Sequence, residues 1–166
     1  KKDKDVYALL NVAGVASMNL LISTPEETIK NIIKTNLIGT IFCTREIIPA
    51  FVRSKIGRII NFSSLAVEIG LQGESVYVAS KAGVEGFSRS IARELASFNV
   101  TVNCISPGPI KTRLTEKVPG NYIDKVMQQQ IITEQCNEED ILNCVKLILD
   151  SKSDKITGEN FIIGGF

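Results

Sequence analysis

The chain of 166 residues contains no histidine and no tryptophan. Without histidine, neither Ser-His-Asp nor Cys-His catalysis nor a histidine-bound metal has a candidate in this sequence. Any proton transfer falls to Tyr, Lys, Asp, Glu, Cys or water. The four cysteines, Cys43, Cys104, Cys136 and Cys144, form no Cys-x-x-Cys pair, so no metal ligands are assigned. They are expected to be buried free thiols, which suits a reducing compartment. No apolar run approaches the ~20 residues that cross a bilayer. The charged start, Lys1 to Asp5, precedes an apolar run too short for a secretion signal. A cytoplasmic protein with no membrane partner is therefore expected. The net charge of +1 gives no electrostatic case for nucleic acid or an anionic surface. There is no internal repeat, low-complexity tract or linker.

A hydrophobic content of 44% and a charged content of 22% suit one soluble domain over residues 1–166 with a sizeable core. Val6 to Leu10 reads as a buried strand that ends at Asn11-Val12-Ala13-Gly14. Thr24-Pro25-Glu26-Glu27 has the form of a helix start, with Thr24 as cap and Glu27 completing a capping box. The helical pattern from Ile29 to Val52 is interrupted at Gly39 and Pro49, which predicts a break or bend. Asn36 lies on this apolar stretch, where a polar amide reads first as a structural hydrogen-bonder. Ile59, Ile60 and Phe62 form a second strand running into Ser63 and Ser64. A helix is expected from about Ser75 to Phe98. It carries a core stripe (Val84, Phe87, Ile91, Leu95) and a small-residue stripe (Ala79, Ala82, Gly83, Gly86, Ser90) that permits close approach of a helix or subunit. Val100 to Ile105 is a strand entering Ser106-Pro107-Gly108-Pro109, a loop that would place backbone amides near a ligand. Ile110 to Gln135 is polar and reads as a lid. Asn137 to Asp140 opens another helix, and Gly158 to Gly165 is a last strand closed by glycines. Alternating strands and helices predict a parallel sheet with helices on its faces.

The chemistry concentrates between Ser64 and Lys81. Tyr77 and Lys81 are four residues apart, and of the three tyrosines only Tyr77 has lysine at that spacing. On a helix the two share one face. A nearby ammonium favours a phenolate, which predicts a lowered Tyr77 pKa and a tyrosine able to act as general acid or base. Ser64 could hold a substrate oxygen beside it. Tyr-x-x-x-Lys is a weak pattern by itself and arises often by chance.

Taken together, these motifs resemble the short-chain dehydrogenase/reductase family from Asn11 to Gly165. Asn11-Val12-Ala13-Gly14 is similar to its Asn-Asn-Ala-Gly motif, and Asn36 falls where its helix asparagine lies. Ser64, Tyr77 and Lys81 match its serine and Tyr-x-x-x-Lys. Asn103 to Thr112 matches its Pro-Gly cofactor loop, and Gly158 to Gly165 its closing strand. The nearest likeness is to the 3-oxoacyl-carrier-protein reductase type. The resemblance implies a Rossmann-like three-layer αβα fold, here the C-terminal part of the doubly wound sheet. It implies NAD or NADP as cofactor and a small-molecule or acyl-carrier-bound carbonyl/alcohol substrate. Tyr77 would exchange the proton, Ser64 would hold the oxygen, and Lys81 would bind the nicotinamide ribose and lower the Tyr77 pKa. Asn36 would hold a water linking Lys81 to solvent. Pro107, Gly108, Ile110 and Thr112 would flank the nicotinamide, with Asn11, Ala13 and Gly14 along the dinucleotide. A homodimer or homotetramer is implied as well.

Two departures stand out. Val12 replaces a second asparagine, and the glycine-rich phosphate-binding turn of the family is absent, together with any residue that would read the adenosine ribose. The sequence is thus expected to hold the catalytic and nicotinamide side of the fold. The alternative is a non-catalytic remnant or interaction module.

Overall fold

The computed structural model describes residues 6–112, 115, 118 and 120–166. Four parallel strands form one sheet in the order β1-β2-β3-β4: β1 Ala8–Asn11, β2 Gly57–Phe62, β3 Val100–Pro107 and β4 Asn160–Ile163. The helices are α1 Glu26–Ile33, α2 Gly39–Ser54, α3 Ala66–Ile69, α4 Ser75–Leu95, α5 Gly120–Met127 and α6 Glu138–Leu149. This is the expected Rossmann-like three-layer α/β arrangement.

The apolar runs of β2 and β3 follow from burial on both faces. Ile59, Val100 and Val102 point to one side, where they pack with Phe51 of α2 and with Ile91 and Leu95 of α4. Ile60 and Ile105 point to the other, against Cys144, Val145 and Ile148 of α6. Asn137 caps α6 through a complete capping box with Asp140. At the sheet end away from the carboxyl ends of the strands, Arg58 is wholly buried, pairs with Asp154 and lies over the Tyr7 ring.

Several local expectations are corrected. The first strand begins at Ala8 rather than Val6, because pairing to β2 starts there. Thr24 does not cap α1. Its hydroxyl turns back to the Leu20 carbonyl at 3.0 Å, the capping position falls on Pro25, and no side chain caps the helix. Pro49 sits inside α2 without ending it, at an exposed position. The irregularity falls instead at Lys34–Ile38, a π-helical turn just before Gly39. Cys104, Cys136 and Cys144 are buried as expected, whereas Cys43 is exposed on α2. Of the small stripe on α4, Ala79, Ala82, Gly86 and Ser90 are exposed. Gly83 approaches another helical segment: a Cβ there would lie 2.9 Å from a Leu37 methyl.

Candidate active site

Parallel strands whose helices return to the same edge leave a crevice at their carboxyl ends. Here the ends of β2 and β3 open into a cleft of about 410 Å³. Ser64, just beyond β2, Tyr77 on the first turn of α4, and Pro107 and Gly108 at the end of β3 all line it. The Ser64 corner is pinned to β3 on both sides: Ser63 N–H donates to the Ile105 carbonyl at 2.8 Å and Leu65 N–H to the Pro107 carbonyl at 3.0 Å. The Ser64 oxygen accepts the Ala66 N–H at 3.2 Å. Its own proton is left to donate toward the cleft.

Lys81 lies one turn beyond Tyr77, buried, with its ammonium 5.8 Å from the phenol ring centroid. That ammonium donates to the Phe62 carbonyl at 2.8 Å. Burial lowers the Lys81 pKa from 10.5 to about 8, with the Cys104 thiol opposing the fall. The expected lowering of the Tyr77 pKa is not met. Burial raises the phenol above its ordinary value, a hydrogen bond with the Ser64 side chain pulls it down, and the Glu74 carboxylate pushes it up.

The remaining sequence-derived candidates fall into three places. Gly14 passes over the lysine: a Cβ on it would lie 3.4 Å from both Lys81 Nζ and Asn36 Oδ1. Asn36, fully buried in the π-helical turn, holds that loop. Its Oδ1 accepts the Val15 N–H at 2.8 Å, and its amide donates to the Val15 carbonyl at 2.9 Å and to Ser80 Oγ at 3.0 Å. Asn11 turns inward and donates to Asn61 Oδ1 at 2.8 Å and Thr44 Oγ1 at 3.2 Å. Ala13 is exposed on the loop between them. Ile110 and Thr112 do not line the cleft. Both are gathered by Thr115, which does: its hydroxyl donates to the Ile110 carbonyl at 2.6 Å and accepts the Thr112 N–H at 2.9 Å.

The cleft also has walls that were not singled out from the sequence. Tyr122, Ile123 and Val126 of α5 line it, and the Tyr122 hydroxyl reaches across to the Gln72 carbonyl at 3.0 Å. The expected lid from Ile110 to Gln135 therefore contains a cleft-lining helix; its residues 113, 114, 116, 117 and 119 lie outside the described ones. Glu74, which precedes α4, is another lining residue. The one available signal was spacing, since Tyr122, Ile123 and Val126 recur as a helical face. Among the described residues no cluster could hold a metal ion, and no helix is long and apolar enough to cross a membrane.

A family model described as Enoyl-(Acyl carrier protein) reductase matches residues 1–165. The chain belongs to the short-chain dehydrogenase/reductase family. It is 35% identical over 160 residues to the 3-oxoacyl-acyl-carrier-protein reductase FabG of Staphylococcus epidermidis, covering 96% of this chain and 66% of that protein. It is 36% identical over 157 residues to the FabG of Staphylococcus aureus, covering 95% and 64%. Among solved structures, a 4-hydroxyisoleucine dehydrogenase mutant complexed with NADH and succinate superposes with a TM-score of 0.90 at 29% identity, covering 99% of this chain and 69% of that one. The chain thus spans just under two thirds of the length of these curated relatives.

Proposed function

We propose that this short-chain dehydrogenase/reductase chain forms, as a single domain, the catalytic and nicotinamide side of an NAD(P)-dependent oxidoreductase acting on a carbonyl/alcohol pair. One observation carries this reading: Ser64 and Tyr77 converge on one cleft beside Pro107 and Gly108. A nicotinamide cofactor fits the residues behind them. Gly14 lies against Lys81 Nζ and Asn36 Oδ1, each 3.4 Å from where a Cβ would stand, and two of the three ammonium protons are free of the Phe62 carbonyl for ribose hydroxyls. When bound, the cofactor supplies or accepts the hydride.

The chain's own groups handle the oxygen. Ser64 donates a hydrogen bond to the substrate carbonyl and orients it against the phenol. Tyr77, a phenol neutral at physiological pH whose pKa burial raises further, gives its proton to that oxygen as negative charge develops. Lys81 holds the ribose, and a water beside Asn36 returns protons from solvent. Pro107 and Gly108 wall the nicotinamide, Ile110 and Thr112 hold Thr115 in place at the cleft, and Asn11, Ala13 and Gly14 border the dinucleotide.

The names of the relatives point to 3-oxoacyl thioesters on an acyl carrier as the substrate class, with the apolar walls of α5 facing the acyl chain. The exposed small stripe of α4 provides a flat face for a homodimer or homotetramer. Hydride transfer assayed with NADH and NADPH, to the 3-oxo carbonyl of 3-oxoacyl thioesters and to the C2–C3 double bond of trans-2-enoyl thioesters side by side, tests the reading. Tyr77→Phe is expected to lower turnover roughly 10²–10⁴-fold while leaving the fold intact. Unchanged turnover in a folded Tyr77→Phe protein rejects the assignment. A folded wild-type protein that reduces neither thioester supports the non-catalytic alternative.

A further inference from the structure

We propose that Glu85 is a positioning residue for the Ser64–Tyr77 pair, locking the Ser63–Ser64 corner to the helix that carries Tyr77. The proposal rests on the functional reading above. Glu85 lies one turn beyond Lys81 on α4 and is only 7% exposed. A buried carboxylate is costly to desolvate, and an aliphatic side chain would fill the same place without that cost. Its Oε1 accepts the Ser63 hydroxyl at 2.6 Å and the Asn160 amide at 3.1 Å. Asn160 Oδ1 in turn accepts the Ser106 hydroxyl at 2.7 Å. The corner after β2, the end of β3 and the start of β4 thus gather around one carboxylate oxygen, supplied by the helix that also supplies Tyr77 and Lys81. The second oxygen faces the half-exposed Arg89 guanidinium at 3.9 Å. The Cys104 thiol sits within the field of Glu85, Arg89 and Lys81.

The direction of these bonds matters. Every proton runs toward Glu85, so the network needs an acceptor there and has no use for a donor. Ser63 is 4% exposed and points inward, while its neighbour Ser64 lines the cleft. Fixing the Ser63 hydroxyl therefore fixes the orientation of the peptide that presents Ser64.

The test reads Ser64 through Tyr77. The Ser64 hydrogen bond lowers the Tyr77 pKa, so a Ser64 that drifts makes the phenol a weaker acid. The chain has no tryptophan and three tyrosines, which gives a clean phenolate absorbance. Subtracting the titration of Tyr77→Phe in each background isolates Tyr77. Glu85→Leu is expected to weaken the Tyr77 acid about three- to tenfold. Glu85→Gln, whose amide oxygen still accepts from Ser63 and Asn160, is expected to restore the wild-type titration. In turnover, Glu85→Leu is expected to lower kcat with little change in KM. Should Glu85→Leu fail to fold, Ser63→Ala carries the same test. A Tyr77 titration unmoved in a folded Glu85→Leu or Ser63→Ala chain overturns the proposal, as does an equal shift in the Gln and Leu variants. The titration needs no turnover, so an inactive wild-type protein rejects the functional reading while leaving this measurement decisive.

Discussion

Replacing Lys81 by methionine should stabilise the folded chain at neutral pH and make that gain disappear in alkali. Lys81 is 4% exposed, and burial lowers its pKa from 10.5 to about 8. Holding the ammonium inside at neutral pH therefore costs about 3 kcal/mol relative to the unfolded chain. Between those two values the unfolded state binds a proton that the folded state has released, so stability contributed by this group rises with pH. Integrated over the interval, the wild-type chain should gain about 2.5 kcal/mol between about pH 7 and pH 10 from Lys81 alone. Methionine fills a similar volume but leaves the Phe62 carbonyl, now served at 2.8 Å, without its donor. That loss costs about 1–3 kcal/mol and sets the absolute size of the gain without altering its pH dependence. Urea unfolding of both chains, followed by far-ultraviolet circular dichroism at several pH values, isolates the effect in their difference, since other titrating groups cancel. A difference that stays flat from about pH 7 to pH 10 refutes the argument, for it would mean that Lys81 keeps its ordinary pKa in the fold. Turnover is expected to be lost in the same variant, which makes Lys81 a residue retained at the expense of stability.

Two further outcomes follow from the same geometry. Gly57→Ala would place a Cβ 2.5 Å from the Phe51 ring, itself fully buried. The ring has nowhere to retreat, so a loss of about 1–3 kcal/mol is expected in chemical denaturation; an unchanged midpoint would show that the α2–β2 contact yields. Because burial raises the Tyr77 pKa, reduction should hold its rate from neutral pH to the ordinary tyrosine range. Oxidation of the alcohol, which needs the phenolate, should climb across that range. Opposite slopes in initial-rate profiles would contradict the protonation state assigned to Tyr77.

The parts of the fold that were legible in the sequence are those set by short-range pattern. The continuous apolar runs of β2 and β3, the period of α4 and the capping residues of α6 each announce themselves within a dozen residues. Tyr77 and Lys81 were legible for the same reason, since a spacing of four fixes their common face. What could not be read was set by contacts across the chain. Thr24 has the chemistry of a cap, but the carbonyl it chose belongs to the preceding turn. Asn36 reads from its own position as a structural amide, and its partners Val15 and Ser80 could not be named from the sequence. The shift of the Tyr77 pKa depends on burial, Ser64 and Glu74 together, whereas the expectation from sequence rests on Lys81 alone. Glu85 gave no local signal, because its partners Ser63, Ser106 and Asn160 lie just beyond β2, on β3 and on β4.

The spatial order of the strands is the same as their order along the chain. No strand must wait for a later one to be slotted between earlier neighbours. A ribosome delivering this polypeptide could therefore lay the sheet down as a weaver adds weft, each new row resting on the one before. The row finished last is β4, whose Asn160 closes the hydrogen-bond chain onto Glu85. The Ser63–Ser64 corner would then be fastened only once β4 has emerged, so a nascent chain interrupted before it would carry β1 to β3 with that corner still loose.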